Sequence, residues 1–229
     1  MTRLALAHTF IWVGVVSFAA FALDASGSGN GGVISFKGSA NWAWATRPSS
    51  ARRVVNPNPA TLVTIFSNFG DRDRLYEDNV AWDVAGPNSE VQEQWVAMPF
   101  TPTFDAQVTQ VSIAVEHNTG SPNSFVLSLN ADSGGQVPGE AIRTWVVKNA
   151  PEFGTCCLLD VAKNSRGLQV SKGTQYWIVA ETNDSEEATR MEWDLSPKGI
   201  EGNFALNNGH GWYGYTAFTS AFAVYGKKR

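Results

Sequence analysis

Hydrophobic and polar residues alternate in short runs through most of the chain after residue 60, and this pattern predicts β-strands. In residues 108–115, Val111, Ile113 and Val115 occupy every second position and should share the buried face of a strand. The polar or small residues between them should line a wet face. The segments predicted to be strands are 62–66, 94–100, 108–116, 124–130, 142–147, 156–161, 175–181, 191–194 and 221–225.

Turn residues separate these segments at short intervals. Asn and Gly are concentrated at residues 130–135 and 207–209, where they supply positive backbone φ angles at little strain. Almost no window has the pattern of an amphipathic helix. Short strands joined by tight turns fold back on one another, so the sequence predicts an all-β, antiparallel sandwich or barrel.

The N-terminus has the features of an export signal. Arg3 is followed by an uncharged, mostly apolar run, residues 4–22, which closes on the small-x-small pattern Ala20-Phe21-Ala22 of a signal peptidase site. We therefore predict a signal peptide at residues 1–22 and a protein located outside the cell, on its surface or in the periplasm. The run is nearly long enough to span a bilayer, so an uncleaved N-terminal anchor is the alternative.

Residues 23–60 are rich in Gly, Ser and Pro, a composition typical of a flexible tether. Trp42 and Trp44 interrupt it, either as a short strand laid on the domain or as part of a loose arm. The predicted organisation continues with a single β-sandwich domain at residues 61–226 and a basic tail at residues 227–229.

The formal net charge of the 229-residue chain is −4. A mildly acidic surface argues against nucleic acid and anionic lipid as partners, so we expect membrane contact only through the N-terminal segment, if it stays uncleaved. The predicted domain is large enough to bury a core of its own.

The only two cysteines, Cys156 and Cys157, are adjacent and cannot join distant strands. They form either a strained eight-membered disulfide ring or two small thiols. An exposed ring would offer a hard apolar plate to a sugar or an aromatic ligand, whereas a buried pair would pin the start of the strand at 156–161. Leu158 and Leu159 continue the apolar run, which favours the structural alternative.

Several blocks of the sequence together resemble a known family. The blocks are Phe100-Thr101-Pro102, residues 108–115, 123–129 and 135–139, Phe153-Gly154-Thr155-Cys156-Cys157, and residues 172–179. From about residue 68 to residue 226 the chain resembles the bacterial surface and secreted proteins grouped as choice-of-anchor R domains. The resemblance implies a jelly-roll-like sandwich, export, display at the cell surface and no established catalytic residues. Residues 224–229 depart from the usual C-terminal anchor, so we expect display through the uncleaved N-terminus or a partner, or else release.

Aromatic side chains are the main candidates for ligand binding, because the chain contains nine tryptophans. Aromatic rings stack on the C–H face of sugars, and the candidates, expected in loops late in the chain, are Trp193, Trp212, Tyr213 and Tyr215. Packing in the core is the alternative for the cluster at residues 211–215. Strand patterns predict an interior position for Trp82, Trp95, Trp145 and Trp177.

Carboxylates crowd one early loop. The candidate ligands of a structural calcium ion there are Asp71, Asp73, Glu77 and Asp78, since calcium prefers loop oxygens of this type. Their spacing lacks the order of a calcium-binding loop, so solvated loop charge is the alternative. No other cofactor is expected.

Catalysis would require a nucleophile with a base, a metal cage or two placed carboxylates. His117 and His210 have no zinc-type spacing and stand in turn-rich sequence where exposed side chains are ordinary. Glu181 could pair with Glu192 or Asp194 on a neighbouring strand to cleave a glycosidic bond, but the strand motifs of known jelly-roll hydrolases and lyases are missing.

We therefore expect an exported, non-catalytic binding or surface-display module with a glycan or another envelope protein as its partner. The alternatives are a carbohydrate-active enzyme, a glycoside hydrolase or lyase, on the same scaffold, and a structural or adhesive envelope protein.

Overall fold

A computed structural model describes residues 62–71, 74–155, 158–161, 167–183, 186–199 and 201–229. All of these residues belong to one compact unit. No helix within these ranges is long and apolar enough to cross a membrane. The predicted signal peptide, the tether with Trp42 and Trp44, Asp73 and the cysteine pair lie outside the described residues.

Fourteen strands make up the described chain. They are β1 (Val63–Ser67), β2 (Glu77–Ala85), β3 (Trp95–Phe100), β4 (Ala106–Ile113), β5 (Val115–Thr119), β6 (Ser124–Asp132), β7 (Pro138–Lys148), β8 (Leu159–Val161), β9 (Gln169–Val170), β10 (Tyr176–Glu181), β11 (Arg190–Leu195), β12 (Glu201–Asn207), β13 (Trp212–Phe218) and β14 (Phe222–Lys228).

These strands form three antiparallel sheets arranged as a sandwich. One layer is a six-stranded sheet with the order β13-β12-β3-β10-β6-β7. The other layer contains a five-stranded sheet, β1-β14-β4-β8 with β9 also on β4, and a three-stranded sheet, β2-β11-β5. Ala114 alone separates β4 from β5, and its carbonyl accepts a 2.8 Å hydrogen bond from Asp194 N, so these two sheets run into one another.

The hydrophobic core lies between the layers and joins side chains from all three sheets. Val111, Ile113 and Val115 are buried there, as their alternation predicts, together with Met98 and Phe125 of the opposite layer. The predicted all-β, antiparallel sandwich is therefore confirmed.

The other face of β4 differs from the prediction of a wet surface. Gln110 and Ser112 are both buried. Gln110 Nε2 donates to Ser112 Oγ at 3.1 Å, and that hydroxyl donates to Asp160 Oδ1 at 2.6 Å. Burial is possible because the polar groups bond to one another.

Most predicted strands occur within a few residues of their expected positions, but four strands were not predicted: β2, β9, β12 and β13. β14 continues through Lys227 and Lys228, so most of the predicted basic tail belongs to a strand. Trp82 and Trp177 are buried as predicted, whereas Trp95 and Trp145 are only half-buried, which corrects their predicted interior position.

Candidate functional site

The first candidate ligand residue, Trp193, lies in the core rather than in a loop. It occupies the middle of β11, with no exposed surface, and its Nε1 donates to the carbonyl of Ala221 at 3.0 Å. Its ring meets Phe222 edge-on, with 6.1 Å between centroids. A ligand at the surface cannot stack on this ring, so the prediction for Trp193 was wrong.

The other three aromatic candidates lie on strand β13 rather than in a loop. Successive residues of a strand point to opposite faces, so Trp212 and Tyr213 are on different sides of the sheet. Trp212 packs against the buried Trp177 cluster, and Tyr215 packs on Phe204 with 5.6 Å between ring centroids. Tyr213 is 37% exposed. The three rings therefore do not form one platform, although Tyr213 remains accessible at the sheet edge.

Tyr213 and Tyr215 share the same face of β13. Burial raises the pKa of the Tyr215 hydroxyl, and the neighbouring Tyr213 raises it further. Tyr215 is thus held in the neutral form and acts as a packing residue with a polar tip.

The calcium candidates contact neighbours within the protein. Glu77 forms an ion pair with Arg74, and Asp78 accepts a hydrogen bond from Asn79 at 3.1 Å. Asp71 is exposed. Across the residues that the structure describes, no group of three His, Cys, Asp or Glu side chains is placed to hold a metal ion. Calcium binding at this loop stays a prediction.

The two carboxylates proposed for glycoside cleavage lie in different sheets. Glu181 ends β10 in the six-stranded sheet, whereas Glu192 and Asp194 lie on β11 in the three-stranded sheet. The pairing across neighbouring strands that a glycosidase could have used is therefore not formed. Glu192 is also fully buried and accepts hydrogen bonds from Asn118 and Arg190.

Sequence reasoning missed a buried ionic cluster, which we call the acidic face and define as Asp83, Glu116, Arg190 and Glu192. Glu192 stands opposite Asp83 on one neighbouring strand and opposite Glu116 on the other. Arg190 Nε lies 2.9 Å from Asp83 Oδ1, and its Nη2 lies 3.4 Å from Glu192 Oε1. Burial raises the pKa of Asp83 and outweighs the opposing effect of Arg190. Arg190 Nη1 also lies 2.9 Å from Oε1 of the exposed Glu90, and Glu116 Oε2 accepts a hydrogen bond from Gly154 N at 2.9 Å. Removing Arg190 would leave the buried carboxylates of Asp83 and Glu192 without their cation.

His117 was expected in an exposed turn, but it is buried in β5 and only 8% exposed. Its Nδ1 lies 3.0 Å from Glu152 Oε2 and its Nε2 lies 3.1 Å from the Gly120 carbonyl. The hydrogen bond from His117 lowers the pKa of Glu152. His117 therefore ties the segment after β7 to β5, while His210 is exposed as expected.

A slot opens in the six-stranded sheet between β3 and β12. β12 pairs with β13 along all seven of its residues, but with β3 only through residues 205–207. Where β3 and β12 separate, residues 98–101 and residues 202–203 line the same cavity. Its volume is about 420 Å³, within the range of small-molecule sites.

Aromatic rings of both layers meet in this slot. The Phe66 ring lies 4.9 Å from that of Phe222 and 5.8 Å from that of Phe100, measured between centroids. Phe66 is half-buried, so part of its ring is accessible. None of the described residues that line the slot is charged. The polar side chains among them are Ser67, Asn68, Thr101, Gln175, Asn203 and Thr219.

Asn68 fixes the end of the slot next to β1. Its Nδ2 donates to the Ser220 carbonyl at 2.7 Å, and its Oδ1 accepts from Phe222 N at 2.7 Å. Both ends of the amide are therefore held by the segment between β13 and β14. Phe100 and Phe222 are buried, so the cavity offers a neutral ligand the partly accessible Phe66 ring and the amides of Gln175 and Asn203. The described residues of its lining include no acid or base for chemistry.

No sequence pattern indicated the slot, because the slot arises where one strand leaves another. Residues 98–100 have an ordinary strand pattern, and residues 201–204 contain Gly202 and Asn203, which are residue types depleted in strands. Comparison of the chain with protein-family models, curated proteins and solved structures gave no match. The slot is the best candidate site among the described residues, and the resemblance to choice-of-anchor R domains stays a prediction.

Proposed function

We propose that this protein is an exported, non-catalytic binding module that holds a neutral glycan in the slot between β3 and β12. The observation that carries the proposal is the lining of that slot, in which aromatic rings and amide groups meet without a charged residue. Sugars are recognised by this combination, because their C–H faces stack on rings and their hydroxyls bond to amides.

The non-catalytic part of the proposal is supported by the positions of the carboxylates. Glycoside cleavage needs two carboxyl groups that face one bond. Glu181 and Glu192 lie in different sheets, and Glu192 is fully buried in the acidic face. In the described part of the chain, no carboxylate lines the slot.

The cellular part of the proposal rests on the sequence. The charge-free run at residues 4–22 supports export, and the resemblance to choice-of-anchor R domains supports display at the surface. A mildly acidic chain is consistent with a neutral partner such as a glycan, or with another envelope protein.

Blocking the slot at its rim tests the proposed function. Thr101 lines the slot and is exposed, so Thr101→Trp should fill the opening without disturbing the core. We expect this change to weaken binding of maltose, cellobiose or chitobiose, whichever binds the wild-type chain, by about tenfold or more in titration calorimetry.

Thr103→Trp is the matched control, because Thr103 is equally exposed, two residues further on, and does not line the slot. It should bind like the wild-type chain. Equal binding by both variants, or no binding of any neutral glycan by the wild-type chain, contradicts the proposal. Release of reducing ends during the incubation contradicts its non-catalytic part.

A further inference from the structure

The six-stranded sheet ends in two edge strands, β13 and β7. Among the described residues, β13 pairs with β12 on one side and no strand lies on its other side, which we call the outer edge of β13. About half of the backbone N–H and C=O groups of an edge strand point away from its one neighbour. Another strand can therefore pair with such an edge.

Strand β7 is defended against such pairing. It begins with Pro138, and its register against β6 shifts twice, which marks β-bulges. It also carries the charged residues Glu140, Arg143 and Lys148. Proline, bulges and charged side chains are the means by which natural sheets prevent contact between edges, so β7 is protected although it exposes apolar side chains.

Strand β13 has none of these protections. Its seven residues, Trp212–Phe218, include neither a proline nor a charged residue, and they pair with β12 without a shift in register. Tyr213 is 37% exposed and Phe218 is 42% exposed. A regular, uncharged and aromatic edge is typical of a strand that pairs with another chain. The aromatic residues of β13 therefore point to a contact surface.

The sequence of β13 is complementary to itself in an antiparallel pair. A two-fold axis at Tyr215 places all seven residues opposite the same strand of a second copy. Two of the opposing pairs then join a larger side chain to a smaller one and a third joins two rings: Tyr213 to Ala217, Thr216 to Gly214, and Trp212 to Phe218. No charge faces another charge in this register, and opposing aromatic rings stabilise a strand pair.

We propose that the outer edge of β13 pairs antiparallel with the outer edge of β13 in a second copy of the chain, with Tyr215 at the centre. The six-stranded sheets of the two copies then form one continuous sheet. A contact through one strand is smaller than a standard interface of about 1,600 Å², so the dimer should be weak and should depend on concentration. The described lining of the slot contains no residue of β13, so the dimer does not depend on the proposed glycan.

Amide hydrogen exchange of the full chain, measured from about 10 µM to about 500 µM, tests the dimer. Exchange at residues 212–218 should slow by about tenfold at the highest concentration, because N–H groups of the outer edge become hydrogen-bonded to the second copy. Exchange at residues 143–148 of β7 and at Leu127 in the core should not depend on concentration. Exchange at β13 that is the same at every concentration overturns the proposal. Protection of β7 that rises together with that of β13 also overturns it, since this result shows a head-to-tail contact.

Opposite charges at Thr216 identify the partner strand as a second β13. Thr216 is exposed, and in the proposed register the Thr216 side chains of the two copies are diagonal neighbours, about 7–8 Å apart. Thr216→Lys or Thr216→Glu alone places like charges at this distance and should raise the concentration needed for protection of β13 by about threefold. An equimolar mixture of the two variants places a lysine beside a glutamate and should restore the protection of the wild-type chain.

Thr144→Lys is the matched control, because Thr144 is exposed on β7 at the opposite edge of the same sheet. It should leave the protection of residues 212–218 as it is in the wild-type chain. An equal loss in Thr144→Lys and Thr216→Lys, or a mixture that is protected no better than either Thr216 variant alone, overturns the pairing of β13 with itself. Exchange at Leu127 in each variant shows that the fold is intact, so these outcomes report the contact itself.

Discussion

The acidic face and the slot lie in opposite layers of the sandwich and differ in how their polar groups are used. In the acidic face, Arg190 bonds to Asp83 and Glu192, and all three side chains are buried. In the slot, the lining is uncharged and Phe66 remains partly accessible. One region bonds its arginine to buried carboxylates within the protein, while the other leaves an uncharged cavity open.

Because of this difference, the acidic face should matter for the stability of the fold and the slot for ligand binding. A buried charge needs its partner, so removing one member of the acidic face leaves the others desolvated. An open, uncharged cavity needs no partner for the fold to be stable, so it can be filled or narrowed at small expense. We therefore expect substitutions at the acidic face to change unfolding and substitutions at the slot to change binding.

The largest change in the free energy of unfolding is expected for a substitution at the centre of the acidic face. Arg190→Met removes the only described cation that contacts Asp83 and Glu192, and it should lower the free energy of unfolding by about 3–5 kcal/mol. Chemical denaturation at neutral pH measures this change. Arg143→Met, at an exposed position of β7, is the matched control and should stay within about 0.5 kcal/mol of the wild-type chain. Similar losses in both variants would mean that the acidic face does not depend on its arginine.

A smaller loss of stability is expected when a glycine between two paired strands is replaced, and a glycine at the edge of the slot provides the comparison. Gly226 lies in β14 between β1 and β4, and a Cβ there would lie 2.1 Å from the Gln107 carbonyl oxygen. Backbone cannot move aside in a paired strand, so Gly226→Ala should lower the free energy of unfolding by about 1–3 kcal/mol.

Gly202 provides the matched test at the slot. A Cβ at Gly202 would lie 3.1 Å from Cγ2 of the Thr219 side chain, which borders the cavity and can shift. Gly202→Ala should therefore remain within about 0.5 kcal/mol of the wild-type chain in the same denaturation experiment. A loss at Gly202 as large as that at Gly226 would show that the slot is as rigid as the paired sheets.

The layers of the sandwich could be predicted from the sequence because one face of each strand is buried. Val111, Ile113 and Val115 recur at every second position, and burial on one face alone produces that pattern. β12 and β13 gave no such signal, since Gly202 and Gly214 weaken a strand pattern and typically mark a turn or a close approach. A Cβ at Gly214 would in fact lie 2.8 Å from the Gln136 carbonyl oxygen, so this glycine permits a close approach within a strand.

The position of the candidate site could not be predicted from the sequence. Aromatic residues were predicted to bind a ligand, but which rings reach the surface depends on strand alternation and on the opposite layer. Trp193 is in the core because it faces inward from a central strand, and Tyr215 packs on Phe204 across an edge pair. The slot depends on the point where β12 leaves β3, which no local pattern encodes.

The smallest effect is expected at Glu181, a half-buried carboxyl of the six-stranded sheet. Burial raises the pKa of Glu181 above its ordinary value of 4.5. A raised folded-state pKa means that the folded chain binds the proton more tightly than the unfolded chain. Its contribution to stability is therefore complete below the ordinary pKa and is lost as the pH rises through the folded-state pKa. Glutamine does not titrate and keeps the neutral form at every pH.

Glu181→Gln should therefore be more stable, relative to the wild-type chain, at neutral pH than at a pH below 4.5. Chemical denaturation at a series of pH values measures the difference. Glu140→Gln removes the same charge from an exposed position of β7 and measures the effect of net charge alone. A relative gain that is larger in acid than at neutral pH would show that a favourable interaction of the charged carboxylate outweighs its burial. Glu181 would then resemble the acidic face, where a buried carboxylate is held by its partner, rather than a carboxyl whose pKa is set by burial alone.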